Sequence, residues 1–280
     1  MSDEPFVVAQ ISDTHFGTVE PEVRAGLLAD LARDPPQVII LTGDVTQRAR
    51  ESQFAEAREF LTELPGSSIR LALPGNHDIA LFDIVSRAFT PYRLFQRYVS
   101  AELEPVFEHA RLSLTCVDAT RRWRHTNGTL ARAQIERVAT RLQGTRADFR
   151  IVATHQPLVA RVASDVKNVA RGAAPALERW IGAGADLFIG GHIHLPYCLP
   201  VAMQDNSRGS VVLQSGTSLS TRIRSGIPNS YNRIELIGSG DARCMNLERR
   251  DFNRETQHFA HHSAHRATIG TAGWELETAH

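Results

Sequence analysis

Five short apolar segments recur within the first 190 residues of the chain, and each ends in polar residues. They are FVVAQ (6–10), QVIILT (37–42), IRLAL (69–73), FRIVAT (149–154) and DLFIG (186–190). Short segments rich in Val, Ile and Leu and bounded by Gly, Pro or Asp are typical of buried β-strands. The pattern therefore predicts five buried strands, each followed by a polar turn.

Segments with the spacing of amphipathic helices lie between these strands. Apolar residues recur every three or four positions in residues 21–34, 51–64, 130–142 and 174–183. In the first of these segments, Val23, Leu27 and Leu31 fall on one face of a helix. Strands that alternate with helices favour a layered α/β fold with a largely parallel sheet.

The last third of the chain has a different pattern. Residues 210–220, 231–238 and 242–252 have the composition of strands, with no helical segment between them. We expect them to form a second, antiparallel run of sheet packed against the first half. Together the two patterns predict two packed sheets with helices outside, in one domain over residues 1–252.

Residues 253–280 have no clear periodicity and are rich in His, Thr, Ala and Gly. This composition is typical of a mobile segment, so we predict a His-rich C-terminal tail. The large apolar side chain of Trp274 favours the alternative that the tail packs against another surface, for example that of a second subunit. Aromatic residues at mostly helical spacing in 82–98 favour core or subunit packing, which would support a homodimer.

Nine polar residues follow the five predicted strands at their carboxyl ends. They are Asp13, His15, Asp44, Asn76, His77, Asp78, His155, His192 and His194. Neighbouring parallel strands bring their carboxyl ends to one edge of a sheet, where ligands bind. A single buried His is usually a core residue, but five strands that all end this way predict one shared site.

The residue types in this site predict metal ions. Seven of the nine residues, which are four histidines, two aspartates and an asparagine, offer mixed nitrogen and oxygen ligands, which suit Mn, Fe, Co or Zn better than Ca or Mg. Seven ligands exceed the needs of one ion, so we predict two divalent ions that share a carboxylate. Two ions about 3.5–4 Å apart can activate a bridging hydroxide and clamp a phosphate ester.

Five motifs resemble, in order and spacing, the signature of the calcineurin-like metallophosphoesterases. The motifs are Asp13-x-His15, Gly43-Asp44, Gly75-Asn76-His77-Asp78, His155 and Gly191-His192-x-His194. The resemblance implies a four-layer α/β/β/α sandwich with its metal site at the carboxyl ends of the strands.

The resemblance also implies a role for each of these residues. The first metal would be held by Asp13, His15 and His194, the second by Asn76, His155 and His192, with Asp44 bridging both. His77 would contact the phosphate and protonate the leaving oxygen. Asp78 would orient that imidazole and raise its pKa. The resemblance therefore predicts His77 and Asp78 as catalytic residues.

Within the family, the chain looks most similar to the bacterial class III cyclic-nucleotide phosphodiesterases and related glycerophosphodiesterases. Its Pro74-Gly-Asn-His-Asp78 differs from the Arg-Gly-Asn-His-Glu of serine/threonine phosphatases, which argues against a protein substrate. We expect an enzyme that hydrolyses small phosphodiesters by attack of a metal-bridging hydroxide. The alternatives are a phosphomonoesterase or a nuclease of the same family. A non-catalytic binding protein is less favoured, because every ligand position and His77 are present.

Composition narrows the choice of partners. Lys plus Arg and Asp plus Glu number 31 each, and this zero formal charge argues against a general nucleic-acid binder. The sequence has no stretch near the roughly 18 apolar residues of a membrane span, and its start does not resemble a signal peptide. The three cysteines, Cys116, Cys198 and Cys244, are odd in number and form no Cys-x-x-Cys motif, so we expect reduced thiols. We expect a cytoplasmic enzyme that acts on a small phosphate ester.

Two arginine-rich segments have ambiguous roles. Arg121–His125 follows a predicted strand, and Arg222 and Arg224 lie in the sequence STRIRSG. Either segment could border the site and bind a phosphate through its positive charge. The alternative is that both are solvated loops.

Overall fold

A computed structural model describes residues 4–80, 83–124 and 126–279 of the chain. The strands in these ranges are β1 (Phe6–Ile11), β2 (Val38–Thr42), β3 (Ile69–Leu73), β4 (Val106–Glu108), β5 (Leu112–Val117), β6 (Phe149–Thr154), β7 (Leu187–Gly190), β8 (Tyr197–Ala202), β9 (Gly209–Gln214), β10 (Ser230–Ile237), β11 (Cys244–Asn253), β12 (His258–Gly270) and β13 (Gly273–Ala279). The α-helices are α1 (Pro21–Arg33), α2 (Glu51–Glu63), α3 (Ile84–Phe89), α4 (Arg93–Tyr98), α5 (Arg132–Gly144) and α6 (Ala173–Gly182). Short 3₁₀ helices span Asn76–Asp78, Ala163–Asn168 and Gly240–Ala242. No helix in the described ranges has both the length and the apolarity needed to cross a bilayer.

The four predicted helices are present as α1, α2, α5 and α6, and their ends agree with the prediction to within two residues. α1 begins at Pro21, which suits a helix N-terminus because its missing N–H would have no partner there. Val23, Leu27 and Leu31 are fully buried on the face that packs against the sheet. The apolar spacing therefore identified the buried face of this helix correctly.

The strands form one curled sheet with two halves. One half has the order β3-β2-β1-β10-β11-β12-β13, and the other has the order β9-β7-β6-β5-β4 with β8 beside β9. Strand pairing joins the edges of the two halves at one pair of residues, Gly273 of β13 and Gly209 of β9. Each half contains a run of parallel strands, which are β1, β2 and β3 in one and β5, β6, β7 and β9 in the other.

Three apolar cores separate four layers of secondary structure. In β2, Val38 and Ile40 point into the core between the two halves of the sheet, whereas Ile39 and Leu41 pack against α1 and α2. On the other outer face, residues such as Phe188 pack against α5 and α6. The alternation follows the two-residue period of a strand. These layers confirm the predicted α/β/β/α sandwich.

Strand β9 lies in a different part of the sheet from the one expected. We predicted that residues 210–220 belong to an antiparallel run, but β9 pairs in parallel with β7. Val211 and Leu213 face the core between the halves, and Val212 packs towards the helices. Burial on both faces is typical of a central parallel strand, which explains its continuous apolar sequence. β10 and β11 are antiparallel, as expected.

The C-terminal residues form two strands instead of the mobile tail that we expected. β12 pairs with β11, and β13 returns along β12. Phe259 and Ala267 of β12 are buried, whereas its histidines His258, His261 and His262 are exposed. Because only one face of β12 is buried, its solvent-facing histidines gave the sequence the composition of a tail. Packing on a second subunit stays a prediction.

The aromatic segment 82–98 divides between core and surface. The buried Phe95 ring lies 6.5 Å from that of Phe54 in α2. Phe89 is 81% exposed, and Phe82 lies outside the described residues. This segment therefore contributes to the core at α4, and its role in a homodimer stays a prediction.

We predict that Trp274→Ala lowers the free energy of unfolding by about 3–5 kcal/mol. Trp274 is 3% exposed, and its Nε1 donates a hydrogen bond of 2.8 Å to Oδ1 of the buried Asp186. Urea unfolding followed by circular dichroism measures the change. Glu277→Ala on the exposed side of the same strand is the control, with an expected change within about 0.5 kcal/mol. Equal stability of the two variants would show that β13 does not pack as described.

Candidate metal centre

All nine predicted site residues lie at one end of the sheet, just beyond the strands that position them. Asp13 and His15 follow β1, Asp44 follows β2, the 3₁₀ helix Asn76–Asp78 follows β3, His155 follows β6, and His192 and His194 follow β7. Only His77 and His192 are half-buried, and the other seven are buried. The structure thus brings together residues that are as much as 181 positions apart, since 194 minus 13 is 181.

Five of these residues have left-handed backbone conformations. Their φ angles are 51° at Asp13, 45° at His15, 48° at Asp44, 76° at His192 and 53° at His194. Such conformations cost non-glycine residues about 1–3 kcal/mol each and are frequent at functional sites. Hydrogen bonds between the turns help to hold them, including Asp13 N–H to Gly43 O at 3.1 Å and His15 N–H to Asp44 O at 3.0 Å. The rest of the fold therefore stabilises strained turns that direct these side chains to one point.

Two glycines allow these turns to approach each other closely. A Cβ atom on Gly75 would overlap the backbone nitrogen and Oδ1 of Asp44. A Cβ atom on Gly191 would overlap Ser12 Oγ and Asp13 Oδ2. The glycines of the Gly-Asn-His-Asp and Gly-His-x-His motifs are thus required by close packing of the turns.

The side chains form two groups, in each of which the candidate ligand atoms lie within 4.8 Å of one another. The first group is Asp13, His15 and His194, and the second is Asp44, His155 and His192. In the first group, the Nε2 atoms of His15 and His194 are 3.1 Å apart. Beside the second group, Asn76 Oδ1 lies 3.2 Å from His155 Nε2. Each group therefore concentrates nitrogen and oxygen donors around one position.

Asp44 lies between the two groups. Its Oδ2 is 3.9 Å from His15 Nε2, and its Oδ1 is 3.2 Å from His155 Nε2. Oδ1 also accepts a hydrogen bond of 2.8 Å from the backbone N–H of His77. One carboxylate thus reaches a histidine of each group, which is the position required of a ligand shared by two ions.

Carbonyl oxygens orient two of the candidate ligand histidines. His155 Nδ1 lies 2.8 Å from Thr42 O, and His194 Nδ1 lies 2.6 Å from Arg222 O. A carbonyl only accepts, so each Nδ1 donates and each Nε2 is directed at the centre. By contrast, the buried Nδ1 of His192 has no hydrogen-bond partner among the described residues. A buried nitrogen without a partner is costly, and a metal ion at this position would satisfy it.

Burial and nearby charges shift the pKa values of the centre. Burial lowers the pKa of His15 to about 3 and that of His192 to about 4, so both are neutral at pH 7. Burial alone would lower the pKa of His155, but the charge and the hydrogen bond of the Asp44 carboxylate, together with the charge of Asp13, raise that pKa to about 9. Burial would raise the pKa of Asp13, but the neighbouring histidines lower it to about 2. The buried carboxylates therefore stay ionised and favour positive charge beside them.

His77 is oriented by a backbone carbonyl that the sequence analysis did not identify. Its Nδ1 lies 2.8 Å from Gln47 O, and Nδ1 is therefore the donor. The other ring nitrogen, Nε2, lies on the side of the centre, 3.4 Å from Nη1 of Arg222. Motif spacing gives no signal for this contact, because any residue at position 47 supplies a carbonyl.

The Asp78 carboxylate contacts the turns after β2 and β3, and its predicted role in orienting the His77 ring stays a prediction. The carboxylate accepts hydrogen bonds from the N–H groups of Gly75 (2.9 Å), Val45 (3.1 Å) and Thr46 (2.8 Å), and from the Thr46 hydroxyl (2.9 Å). Burial is the main cause that raises the pKa of Asp78 to about 6. The carboxylate thus ties the turn after β3 to the turn after β2, and so helps to position His77 through the backbone.

A pocket of about 530 Å³ opens over the centre. Besides candidate ligands and His77, it is lined by Thr126, Asn168, Ile193, Ile223, Arg222 and Arg224. Thr126 lies in the loop before α5, and Asn168 ends the 3₁₀ helix Ala163–Asn168, so local spacing could not reveal that they line one pocket.

The segment Arg121–Arg124 makes structural contacts away from this pocket. Arg121 donates to Gln134 Oε1 at 2.9 Å, and Arg124 donates to Thr129 Oγ1 at 3.3 Å. His125 lies outside the described residues. Among the described residues of the two arginine-rich segments, only Arg222 and Arg224 therefore line the pocket.

A family model for calcineurin-like phosphoesterases matches residues 6–196. The match covers more than half of the 280 residues and includes all nine site residues. The chain belongs to the calcineurin-like phosphoesterase family. A search of curated protein sequences finds no match.

Solved structures share the fold of this calcineurin-like phosphoesterase at low sequence identity. Purple acid phosphatase PPD1 from yellow lupin (Lupinus luteus) seeds has a TM-score of 0.68 at 11% identity, over 89% of this chain and 52% of that one. A dimetal phosphatase from Danio rerio has a TM-score of 0.63 at 15% identity, over 89% and 97%. PhoD has a TM-score of 0.72 at 11% identity, over 100% and 72%. The chain thus spans about half the length of the lupin phosphatase, and these similarities concern the fold alone.

The centre of this calcineurin-like phosphoesterase is a candidate dinuclear site for divalent metal ions. The candidate ligands suit two divalent ions, because the two groups combine buried imidazoles with ionised carboxylates. The unpartnered Nδ1 of His192 and the position of Asp44 between the groups agree with it.

We predict that Gly75→Ala weakens Mn²⁺ binding about 10- to 100-fold, as loss of support around metal ligands typically does. The added methyl group would displace Asp44, the carboxylate between the two groups. Titration calorimetry with Mn²⁺ measures the affinity. Gly144→Ala at the end of α5 is the control, because a Cβ there meets no atom within 4 Å. Unchanged affinity in Gly75→Ala would contradict the close packing of these turns.

We also predict that Mn²⁺ binding becomes tighter as the pH rises from about 6.5 to about 8.5 and releases at least one proton per chain. The pKa of His155 is raised to about 9 and that of His194 is also raised, so protons compete with a metal for the nitrogens of both rings and compete less as the pH rises. Calorimetry at one pH in two buffers of different ionisation enthalpy counts the protons released. Affinity that is independent of pH, with no proton release, would contradict these pKa shifts.

Proposed function

We propose that this phosphoesterase is a metal-dependent hydrolase of small phosphodiesters, of the cyclic-nucleotide or glycerophosphodiester type. The observation that carries the proposal is the position of Asp44, whose two oxygens reach a histidine of each ligand group. His77 lies beside it at the wall of a pocket of about 530 Å³. A shared carboxylate next to a histidine suits metal-dependent hydrolysis of a phosphate ester.

In this proposal, the two groups of donors hold two divalent ions. The first ion is held by Asp13, His15 and His194, the second by Asn76, His155 and His192, and Asp44 is shared. Mixed nitrogen and oxygen donors favour Mn, Fe, Co or Zn. When bound, two such ions supply Lewis-acid charge and lower the pKa of a coordinated water towards neutrality.

His77 acts as the general acid in this proposal. Its Nδ1 donates to Gln47 O, which fixes the ring and leaves Nε2 directed at the pocket. To act as the acid, the ring would take up a second proton on Nε2 and give it to the oxygen of the leaving alcohol as the ester bond breaks. A general acid in this position typically contributes about 10²- to 10⁴-fold to the rate. Asp78 supports this role indirectly, by holding the turn that carries His77.

Pocket size and charge favour a small diester over a polymeric substrate. About 530 Å³ is within the usual range for small-molecule sites. Ile193 and Ile223 lie beside Asn168 and Thr126 in the lining, which suits an organic group with polar substituents. The formal net charge of zero offers no general attraction to nucleic acid, so a nuclease is a weaker candidate.

A phosphomonoesterase is the second candidate. The observation that favours it is the additional positive charge of Arg222 in the pocket lining, because a monoester carries more negative charge than a diester. Two of the proteins of similar fold are also described as phosphatases.

We predict that the Mn²⁺-loaded protein cleaves bis(p-nitrophenyl) phosphate faster than p-nitrophenyl phosphate, as judged by kcat/KM. Asp44→Ala removes the shared carboxylate and should abolish both activities together with metal binding. Release of p-nitrophenol measures each rate. A preference for the monoester would overturn the diester proposal and establish the second candidate. Metal-independent cleavage would contradict the whole assignment.

We predict that His77→Ala lowers kcat about 10²- to 10⁴-fold for a diester with an alkyl leaving group. The loss should be much smaller for bis(p-nitrophenyl) phosphate, because p-nitrophenolate leaves without protonation. Metal content should remain unchanged, since His77 is not a proposed ligand. His258→Ala, at an exposed position of β12, is the matched control. Equal losses for both substrates would show that His77 does not act as the acid.

A further inference from the structure

Arg222 connects to the metal centre through both its backbone and its side chain. It lies in the loop between β9 and β10, beyond residues 6–196 of the family match. Its carbonyl oxygen lies 2.6 Å from Nδ1 of His194, a candidate ligand. Its backbone N–H donates to Ser220 Oγ at 3.0 Å, which fixes the loop at this position. Two backbone contacts therefore hold Arg222 beside the centre.

The guanidinium of Arg222 lies directly against the first ligand group. Nη1 is 3.3 Å from His15 Nε2, 3.4 Å from His77 Nε2 and 3.2 Å from Gln47 Oε1. Its positive charge also contributes to the lowered pKa of His15, of which burial is the main cause. One side chain thus touches both a candidate ligand and the candidate general acid.

Arg222 differs from the neighbouring Arg224 in having no carboxylate partner among the described residues. Arg224 Nη1 forms an ion pair of 2.9 Å with Asp165 Oδ2 and donates to Ile193 O at 3.0 Å. The charge of Arg224 is therefore neutralised by Asp165. The charge of Arg222 is not neutralised by a carboxylate of the described residues, although both arginines line the same pocket.

Nη1 lies at nearly equal distances from both nitrogens of the His15 ring, 3.4 Å from Nδ1 and 3.3 Å from Nε2. A contact shared in this way is not directed along the Nε2 lone pair, which lies in the plane of the ring, so the ring can still bind a cation. A cation at His15 would repel the adjacent guanidinium, and an anion in the pocket that contacts both would offset that repulsion.

We propose that Arg222 is a phosphate-binding residue that couples the binding of metal and phosphate anion at this centre. The proposal rests on the proposed metal-dependent function and adds a residue from outside the five motifs. The positive charge of the guanidinium opposes the binding of a cation at the first ligand group. A phosphate anion that pairs with the guanidinium offsets this repulsion, so metal and phosphate each strengthen the binding of the other. Its planar fork suits bidentate contact with two phosphate oxygens.

The test measures Mn²⁺ binding by titration calorimetry with and without inorganic phosphate. For the wild-type chain, we expect phosphate to tighten Mn²⁺ binding about tenfold, within the usual range of coupling between sites. Arg222→Gln should bind Mn²⁺ about two- to fivefold more tightly without phosphate, because the competing charge is gone. Phosphate should then tighten its Mn²⁺ binding by no more than about twofold. Arg222→Lys, which keeps the charge but not the fork, should give an intermediate gain.

Arg161→Gln is the charge-matched control, since this exposed arginine does not line the pocket over the centre. It should behave like the wild-type chain. If Arg222→Gln also matches the wild type with and without phosphate, the inference about Arg222 is wrong while the metal centre stands. If the wild-type chain binds no Mn²⁺, the proposed function itself fails, and this inference fails with it.

Discussion

The buried Asp44 carboxylate imposes the main constraint on this structure. Burial alone would raise its pKa, but His155 and His77 hold that pKa well below its usual range. A buried charge of this kind is tolerated only when it is paired and hydrogen-bonded. The features around it follow from that need. The close approach at Gly75, the hydrogen bonds of Asp78 and the strained turn at Asp44 all keep partners beside one carboxylate.

Each ligand group takes residues from both halves of the sheet. The first group combines Asp13 and His15, after β1, with His194, after β7. The second combines Asp44, after β2, with residues after β6 and β7. The distances between donors therefore depend on how the two halves pack on each other. The core between the sheets, which contains Val8, Ile40 and Ile189, thus supports function as well as stability.

Much of this architecture could be predicted from the sequence because its signals are local. Runs of Val, Ile and Leu identified the strands, and polar residues at their ends identified the centre. Other features depend on contacts between distant segments. The histidines of β12 give the sequence a tail-like composition, and only pairing with β11 shows that the segment is a strand. The orientation of His77 depends on the backbone carbonyl of Gln47, and any residue at position 47 would supply that carbonyl. The contact of Arg222 with His15 spans 207 positions and belongs to no motif.

The central claim is that the two ligand groups hold two metal ions that share Asp44. The most direct test is to load the protein with Mn²⁺, remove excess metal, and record its metal content and electron paramagnetic resonance spectrum. The account predicts two ions per chain and the spectrum of a magnetically coupled pair, which Asp44→Ala should lose. One ion per chain, or two ions with the six-line spectra of isolated Mn²⁺, would contradict a shared centre.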